Sequence, residues 1–125
     1  MDGIDYVVLF VGDLDASIRF YREVLGLPFS ERMETYAEFR LSNLKLGLLD
    51  RREVPDLLGR ESERGGGSEI VLLVRDVDAE ADRLRGLGAT LVAGPRDRPW
   101  GHRTLHLADP DGHVVELAQE IPRSS

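Results

Sequence analysis

The sequence predicts an α+β fold of two tandem β-α-β-β-β modules, which form curved mixed sheets around a cavity within a single domain spanning residues 1–125. The first observation is an internal repeat, because residues 5–17 and 68–80 are identical at six positions when aligned at an offset of 63. The second is the pattern after each copy, an amphipathic helix followed by three short strands. A repeat of half the chain length indicates two similar modules, whereas a solenoid needs more copies.

Composition limits the classes of function. Hydrophobic residues make up 42% and charged residues 31%, as in a globular domain. The chain has no cysteine, which excludes disulfides, zinc–thiolate sites, iron–sulfur clusters and cysteine nucleophiles. A net charge of −7 argues against a nucleic-acid partner, which needs a basic surface. We find neither an apolar run long enough to span a bilayer nor an N-terminal signal sequence, so we expect no membrane partner and a cytoplasmic location.

Each module begins with a strand and a capped helix. Residues 4–11 and 69–74 are rich in Val, Leu and Ile, as strands are. An Asp-x-Asp sequence follows each strand and supplies a helix N-cap, because a short carboxylate accepts the free amide hydrogens of the first turn. Apolar residues then recur at helical spacing, at Leu14, Ile18, Tyr21 and Leu25 in the first helix and at Val77, Ala81, Leu84 and Leu87 in the second. Gly26 and Gly88 stand where a left-handed residue ends a helix.

Three shorter strands complete each module. We expect them at about 28–34, 36–41 and 44–49 in the first module, and at about 89–93, 101–108 and 113–119 in the second. The modules therefore span 4–49 and 68–119. The intervening residues 50–67 have the composition of a solvated linker loop, with a candidate lid turn around Val54, Leu57 and Leu58 and a flexible glycine run at 65–67.

The last hairpin places two polar side chains together. Asp109-Pro110-Asp111-Gly112 is a turn signature that pairs Asp109 with His113. Counting back along both strands puts His106 and Glu116 side by side on the face away from the helix, with Cβ atoms about 5 Å apart. The opposite face takes the apolar residues Leu105, Leu107, Val115 and Leu117. His102 shares the face of His106 but lies about 13 Å along the strand, too far for both imidazoles to ligate one ion.

Four segments together resemble a known family. They are Val11-x-Asp13-Leu14-Asp15-Ala16-Ser17, Phe20-Tyr21-x-x-x-Leu25-Gly26, Pro99-Trp100-Gly101 and Asp109-Pro110-Asp111-Gly112-x-x-x-Glu116-Leu117. Over residues 4–119 this combination is similar to the vicinal oxygen chelate superfamily, which includes glyoxalases, extradiol dioxygenases, fosfomycin-resistance enzymes and bleomycin-resistance binding proteins. The resemblance implies the two-module fold and a homodimer. It does not choose among these functions, because members share the scaffold and differ in the site.

The resemblance also implies where a metal would bind. In metal-dependent members the ion is held by residues on the first and last strands of each module, and the matching positions are Tyr6, Gly47, Glu69 and Glu116. The usual metal ligands at these positions are two His and one or two Glu. In this chain only Glu116 matches them. A phenol is a poor ligand near neutral pH because the reference pKa of tyrosine is about 10. The resemblance therefore favours the metal-free members, with no cofactor.

The leading hypothesis is a small-molecule binding protein of the bleomycin-resistance type, which sequesters an organic ligand and so confers antibiotic resistance. No residue is assigned a catalytic role. The expected ligand-binding residues combine aromatic and apolar walls with polar anchors: Tyr6, Phe10, Glu69, Val71, Trp100, His102, His106 and Glu116.

Two alternatives stay open. One is a metal-dependent enzyme, either a glyoxalase-type lyase or isomerase or an extradiol-type dioxygenase, with a divalent metal ion held by Glu116, Glu69 and His106 if their strands are neighbours. The other is a scaffold module with an unused cavity. Plainer interpretations also exist for single residues: His106 and Glu116 as a cross-strand polar pair, and Trp100 as a rim residue that braces its loop.

Overall fold

The computed structural model describes residues 2–61 and 68–123, so the predicted glycine linker at 65–67 lies outside the described residues. The described residues form two compact units, one from each half of the chain. Each unit contains a four-stranded mixed sheet. No helix in the described part of the chain is long and apolar enough to cross a membrane.

The first unit follows the predicted order of elements. Its strands are β1 (Tyr6–Val11), β2 (Phe29–Arg32), β3 (Tyr36–Arg40) and β4 (Lys45–Asp50), and helix α1 (Leu14–Arg19) continues into a π-helical turn (Phe20–Val24). In the sheet the strands lie in the order β1-β4-β3-β2. β1 is parallel to β4, and the other neighbours are antiparallel.

The second unit repeats this topology. Its elements are β5 (Glu69–Leu73), α3 (Val77–Gly86), β6 (Thr90–Arg98), β7 (His102–Ala108) and β8 (Val114–Glu120). The strand order β5-β8-β7-β6 matches that of the first sheet, again with a parallel pair formed by the first and last strands. The duplication read from the sequence therefore corresponds to two copies of one topology.

The local signals that begin and end the helices are confirmed. The Asp13 side chain accepts a hydrogen bond from the Ala16 amide at 3.1 Å, and Asp76 accepts one from Ala79 at the same distance. Gly26 and Gly88 adopt left-handed φ angles of 72° and 75°. Most of each apolar stripe is buried, whereas Ile18 and Leu25 are half-buried and Leu87, at the end of the second stripe, is 55% exposed. Large core side chains lie at Tyr21, Phe39, Leu48, Leu84, Leu105 and Leu107.

Two segments differ from the sequence-based expectation. Strand β6 was expected to end near residue 93, yet it continues to Arg98, because register shifts around Ala93 accommodate Gly94 and Pro95 at the sheet edge, where a missing amide hydrogen is tolerated. Residues 51–58 of the expected linker loop are helical. They form a 3₁₀ turn (Arg51–Glu53) and helix α2 (Val54–Leu58), with Pro55 in its first turn.

Candidate functional site

The face of the second sheet that carries Glu69 is exposed along its edge strand, β5. Along β5 the side chains alternate, with Glu69, Val71 and Leu73 exposed and the two residues between them half-buried. Val71 pairs with Glu116 on β8, and Glu116 pairs with His106 on β7. These three residues therefore form one row across the sheet. Glu69 lies two residues before Val71 on β5, so it is on the same face.

Glu69, His106 and Glu116 converge on one point. The His106 Nε2 atom lies 2.8 Å from Glu116 Oε1 and 3.3 Å from Glu69 Oε2. The side chains of His106 and Glu116 are 17% and 11% exposed, whereas that of Glu69 is 40% exposed. The predicted register of the last hairpin, which set His106 opposite Glu116, is confirmed. We call these three residues the carboxylate–imidazole cluster.

The other nitrogen of the His106 ring is unusual. Nδ1 is buried and makes no hydrogen bond with any described group. Because Nε2 lies close to two carboxylate oxygens, the neutral ring is better accommodated with its proton on Nε2, where acceptors are near, than on Nδ1, where none is. With the proton on Nε2, Nδ1 is left with an unpaired lone pair. This costs less than the opposite tautomer, in which Nδ1 would carry a buried N–H without an acceptor, at a cost of about 1–3 kcal/mol.

This tautomer bears on the metal implied by the family resemblance. One imidazole nitrogen and two carboxylate oxygens, all within 4.8 Å of one another, are close enough to surround a cation. A metal on Nε2, however, would move the ring proton to Nδ1, where no described group accepts it. Ligating histidines almost always donate their second N–H to an acceptor. The three ligand atoms are close enough together to hold a transition metal, but the missing acceptor for Nδ1 means that the cluster does not fit one.

The first sheet carries different residues at the corresponding positions. Gly47 takes the place of Glu116 and Glu38 that of His106, as their pairing shows. The Tyr36 ring covers Gly47 so closely that a Cβ atom there would lie 2.6 Å from its hydroxyl oxygen. The Tyr36 hydroxyl donates to Glu38 Oε1 at 2.9 Å, and Glu38 is only 7% exposed. A phenol–carboxylate pair thus occupies the space that a ligand side chain at position 47 would need.

The environment of Tyr36 changes its acidity. Burial of the phenol and its hydrogen bond to Glu38 raise the pKa of Tyr36 to about 12, because both disfavour the phenolate. Tyr36 therefore acts as a hydrogen-bond donor near neutral pH. Neither Tyr36 nor Glu38 was among the predicted site residues, although the alternation along β3 places Tyr36, Glu38 and Arg40 on one face.

Of the remaining predicted ligand-binding residues, two belong to the first unit. Tyr6 is half-exposed on β1, and its hydroxyl accepts a hydrogen bond from Lys45 Nζ at 3.2 Å. Phe10 is half-buried on the same strand, and its carbonyl accepts a hydrogen bond from Arg51 at 3.3 Å. Because Tyr6 and Phe10 are four residues apart on one strand, their side chains lie on the same face of the first sheet.

Trp100 and His102 lie at the end of the second sheet. Trp100 occupies the turn between β6 and β7 and is 56% exposed, while His102 begins β7 opposite Glu120. Since His102 lies four residues along the strand from His106, the structure keeps it out of the carboxylate–imidazole cluster.

Comparison with known proteins agrees with this architecture. The family model described as the glyoxalase/bleomycin resistance protein/dioxygenase superfamily matches residues 3–117. An uncharacterized Bacillus subtilis protein, YraH, is 35% identical, with 87% of this chain and 91% of the relative covered. A probable lactoylglutathione lyase from Synechocystis is 31% identical, with 91% and 92% covered.

Solved structures show the same fold. A glyoxalase/bleomycin resistance protein/dioxygenase from Nocardioides superposes with a TM-score of 0.83 at 26% identity, over 100% of this chain and 87% of that one. A glyoxalase-related enzyme from Fulvimarina pelagi gives a TM-score of 0.86 at 26% identity, over 96% and 89%. With two copies of the β-α-β-β-β topology and a family match over nearly its whole length, this chain belongs to the glyoxalase/bleomycin resistance protein/dioxygenase superfamily.

Proposed function

We propose that this chain is a small-molecule binding protein that sequesters an organic ligand at the carboxylate–imidazole cluster and the exposed side of β5, without a transition metal. The observation that carries the proposal is the position of His106, whose Nε2 lies between two carboxylate oxygens and whose Nδ1 is buried without a hydrogen-bond partner among the described residues. In this arrangement the cluster is a set of polar anchors for a ligand rather than a metal centre.

The surroundings of the cluster suit an organic ligand. Val71 and Leu73 are 46% and 64% exposed on the same strand face as Glu69, so they offer apolar contact surface next to the anchors. Ligand sites typically combine apolar walls with a few placed polar groups. Because the anchors include two carboxylates, the ligand that fits best carries an amine or another cationic donor. Sequestration of such a drug-like molecule is the activity of the bleomycin-resistance members of the superfamily.

Calorimetric titration with a panel of cationic drug-like molecules, bleomycin included, tests the proposal. We expect saturable binding by metal-free protein, weakened about tenfold or more by Glu116→Gln, because a charge-assisted hydrogen bond is lost. Glu120→Gln is the matched control, since it removes the same charge from the same strand at an exposed position. Absence of binding across the panel, or equal weakening by both variants, would contradict the proposal.

A metal-dependent lyase is the second candidate, favoured by a specific observation. The three ligand atoms of the cluster lie within 4.8 Å of one another, and relatives from Synechocystis and Vibrio cholerae are named probable lactoylglutathione lyases. Elemental analysis of protein purified without chelator separates the two candidates. About one equivalent of Ni, Zn, Mn or Fe, lost in Glu116→Ala, would establish the metal centre and overturn the metal-free proposal.

A further inference from the structure

A row of charged and aromatic side chains crosses the first sheet at one end. Tyr6 on β1 pairs with Lys45 on β4, and Lys45 pairs with Arg40 on β3. The three side chains therefore share one face of the sheet, and two of them are cations directly opposite each other. Like charges in this position destabilise a strand pair unless an opposite charge lies between them.

No ion pair within the described residues offsets this repulsion. Lys45 Nζ contacts the Tyr6 hydroxyl at 3.2 Å and lies 5.0 Å from the centre of the Tyr6 ring, so a neutral aromatic side chain holds the ammonium group. The Arg40 side chain makes neither a hydrogen bond nor an ion pair with any described group, and the residue is exposed. The row therefore presents two positive charges and a phenol hydroxyl.

These side chains line a cavity of about 240 Å³. The rest of its wall is formed by Asp5 and by the β3–β4 turn, residues 41–44, which includes the polar residues Ser42 and Asn43. The turn is closed by a 2.9 Å hydrogen bond from the Leu41 amide to the Leu44 carbonyl. The volume is below the roughly 300–1,000 Å³ of a site for a whole drug-sized ligand, so it suits one polar group of a small molecule.

The charge of the lining selects the kind of group. Arg40 and Lys45 together outweigh the single carboxylate of Asp5, so this cavity is positive in a protein whose net charge is −7. A guanidinium pairs with the two oxygens of a carboxylate or phosphate, while an ammonium and a hydroxyl add single hydrogen bonds. An oxyanion at this point would also remove the repulsion between the two cations.

We infer that the cavity lined by Tyr6, Arg40 and Lys45 binds the carboxylate or phosphate group of a small molecule. The site belongs to the first unit and uses none of the carboxylate–imidazole cluster. It therefore does not depend on the organic ligand proposed for the second unit, and either proposal can fail without the other.

Amide NMR titrations of the full chain test the inference, with inorganic phosphate and acetate as separate probes. We expect saturable shifts confined to residues 5–6 and 40–45, at lower concentration for whichever oxyanion the site prefers. Arg40→Gln and Lys45→Gln should each weaken phosphate binding about tenfold or more, because each removes a charge-assisted hydrogen bond. The amide spectrum of each variant reports that the chain is still folded.

Two controls make the outcome decisive. Arg60→Gln removes the same charge from an exposed residue of the same unit outside the cavity, and it should leave phosphate affinity unchanged. Glu116→Gln should also leave it unchanged, because that residue belongs to the other site. Absence of saturable shifts at residues 40–45 with both probes would overturn the inference. So would equal weakening by Arg60→Gln and Arg40→Gln, since general charge attraction would then explain the binding.

Discussion

Individual side chains distinguish the two sheets even though their topologies match. On the second sheet a histidine bridges two carboxylates, whereas on the first a tyrosine covers a glycine and donates to a buried glutamate. The backbone pairing that brings each set together is the same. The difference in chemistry therefore comes from four substitutions within one framework. Relative to the second sheet, the first has a phenol for a carboxylate at Tyr6, glycine for a carboxylate at Gly47, a carboxylate for an imidazole at Glu38, and the phenol of Tyr36 where the second sheet has Thr104.

The Tyr36–Glu38 pair makes stability depend on pH in the alkaline range. The pKa of Tyr36 is 10.0 when unperturbed and about 12 in the folded chain. Below pH 10 the phenol is protonated in both the folded and the unfolded chain, so the pair makes its full contribution to the free energy of unfolding. It is lost as the pH rises towards 12, because the unfolded chain releases its proton first. We expect the free energy of unfolding in urea to fall over this window by less in Tyr36→Phe than in the parent chain.

Phenolate absorbance supplies the direct measurement. The chain has 3 tyrosines, so the difference between the titration curves of the parent and Tyr36→Phe isolates the contribution of Tyr36. Its midpoint should lie near 12 and move down in Glu38→Gln, which removes the negative charge beside the phenol. A difference curve centred near 10 would show that the folded chain does not hold this hydrogen bond.

The sequence allowed part of these sites to be predicted, and the reason is physical. His106 opposite Glu116 followed from a turn signature and the two-residue period of strands, which are both local. Glu69 joins them only because β5 lies parallel to β8, a pairing between residues far apart in the chain. The contact between Tyr36 and Gly47 could not be predicted without the register of β3 with β4. Only the structure shows that the Tyr36 ring fills the space that a side chain at position 47 would occupy.

The secondary-structure elements were predictable where their ends carry a local signal. Both Asp-x-Asp caps and both left-handed glycines are where the sequence placed them. The extent of β6 was not predictable, because glycine and proline usually end a strand. Here β6 continues through Gly94 and Pro95 with an irregular pairing to β7. The π-helical turn after α1 was also missed, because a periodicity of apolar residues does not distinguish it from a regular helix over five residues.

The paired caps give a test of the duplicated modules. Asp13 and Asp76 accept the same hydrogen bond at the same distance, at the start of corresponding helices. We expect Asp13→Ala and Asp76→Ala each to lower the free energy of unfolding by about 1 kcal/mol, since each leaves a first-turn amide without its acceptor. Asp82→Ala is the control: it lies within α3, and its ion pair with Arg85 is exposed.

Urea denaturation measures all three variants. If Asp82→Ala costs as much as either cap variant, the loss reflects general charge effects rather than capping. A loss at only one of the two caps would mean that the modules do not share this element of stability, despite the identical geometry.

At the scale of the whole molecule, the chain leaves apolar side chains uncovered on both sheets. Tyr6 and Val8 on β1 are 49% and 41% exposed, and Val71 and Leu73 on β5 are 46% and 64% exposed. Each pair alternates with residues that are half-buried. Exposed apolar patches in soluble proteins mark surfaces that bind a partner or a ligand. The family resemblance implies that a second copy of the chain supplies part of this cover.

We therefore expect a homodimer in solution, with twice the 14.0 kDa mass of the chain in sedimentation equilibrium. Leu73→Asp should weaken dimerisation at least tenfold, because it places a charge in surface that association would bury. Leu57→Asp is the matched control, since Leu57 is 59% exposed on α2, which is part of neither sheet. A chain that stays monomeric at every concentration would contradict the expectation. Equal weakening by the two variants would place the interface elsewhere, and the open face of β5 would then be left to the ligand alone.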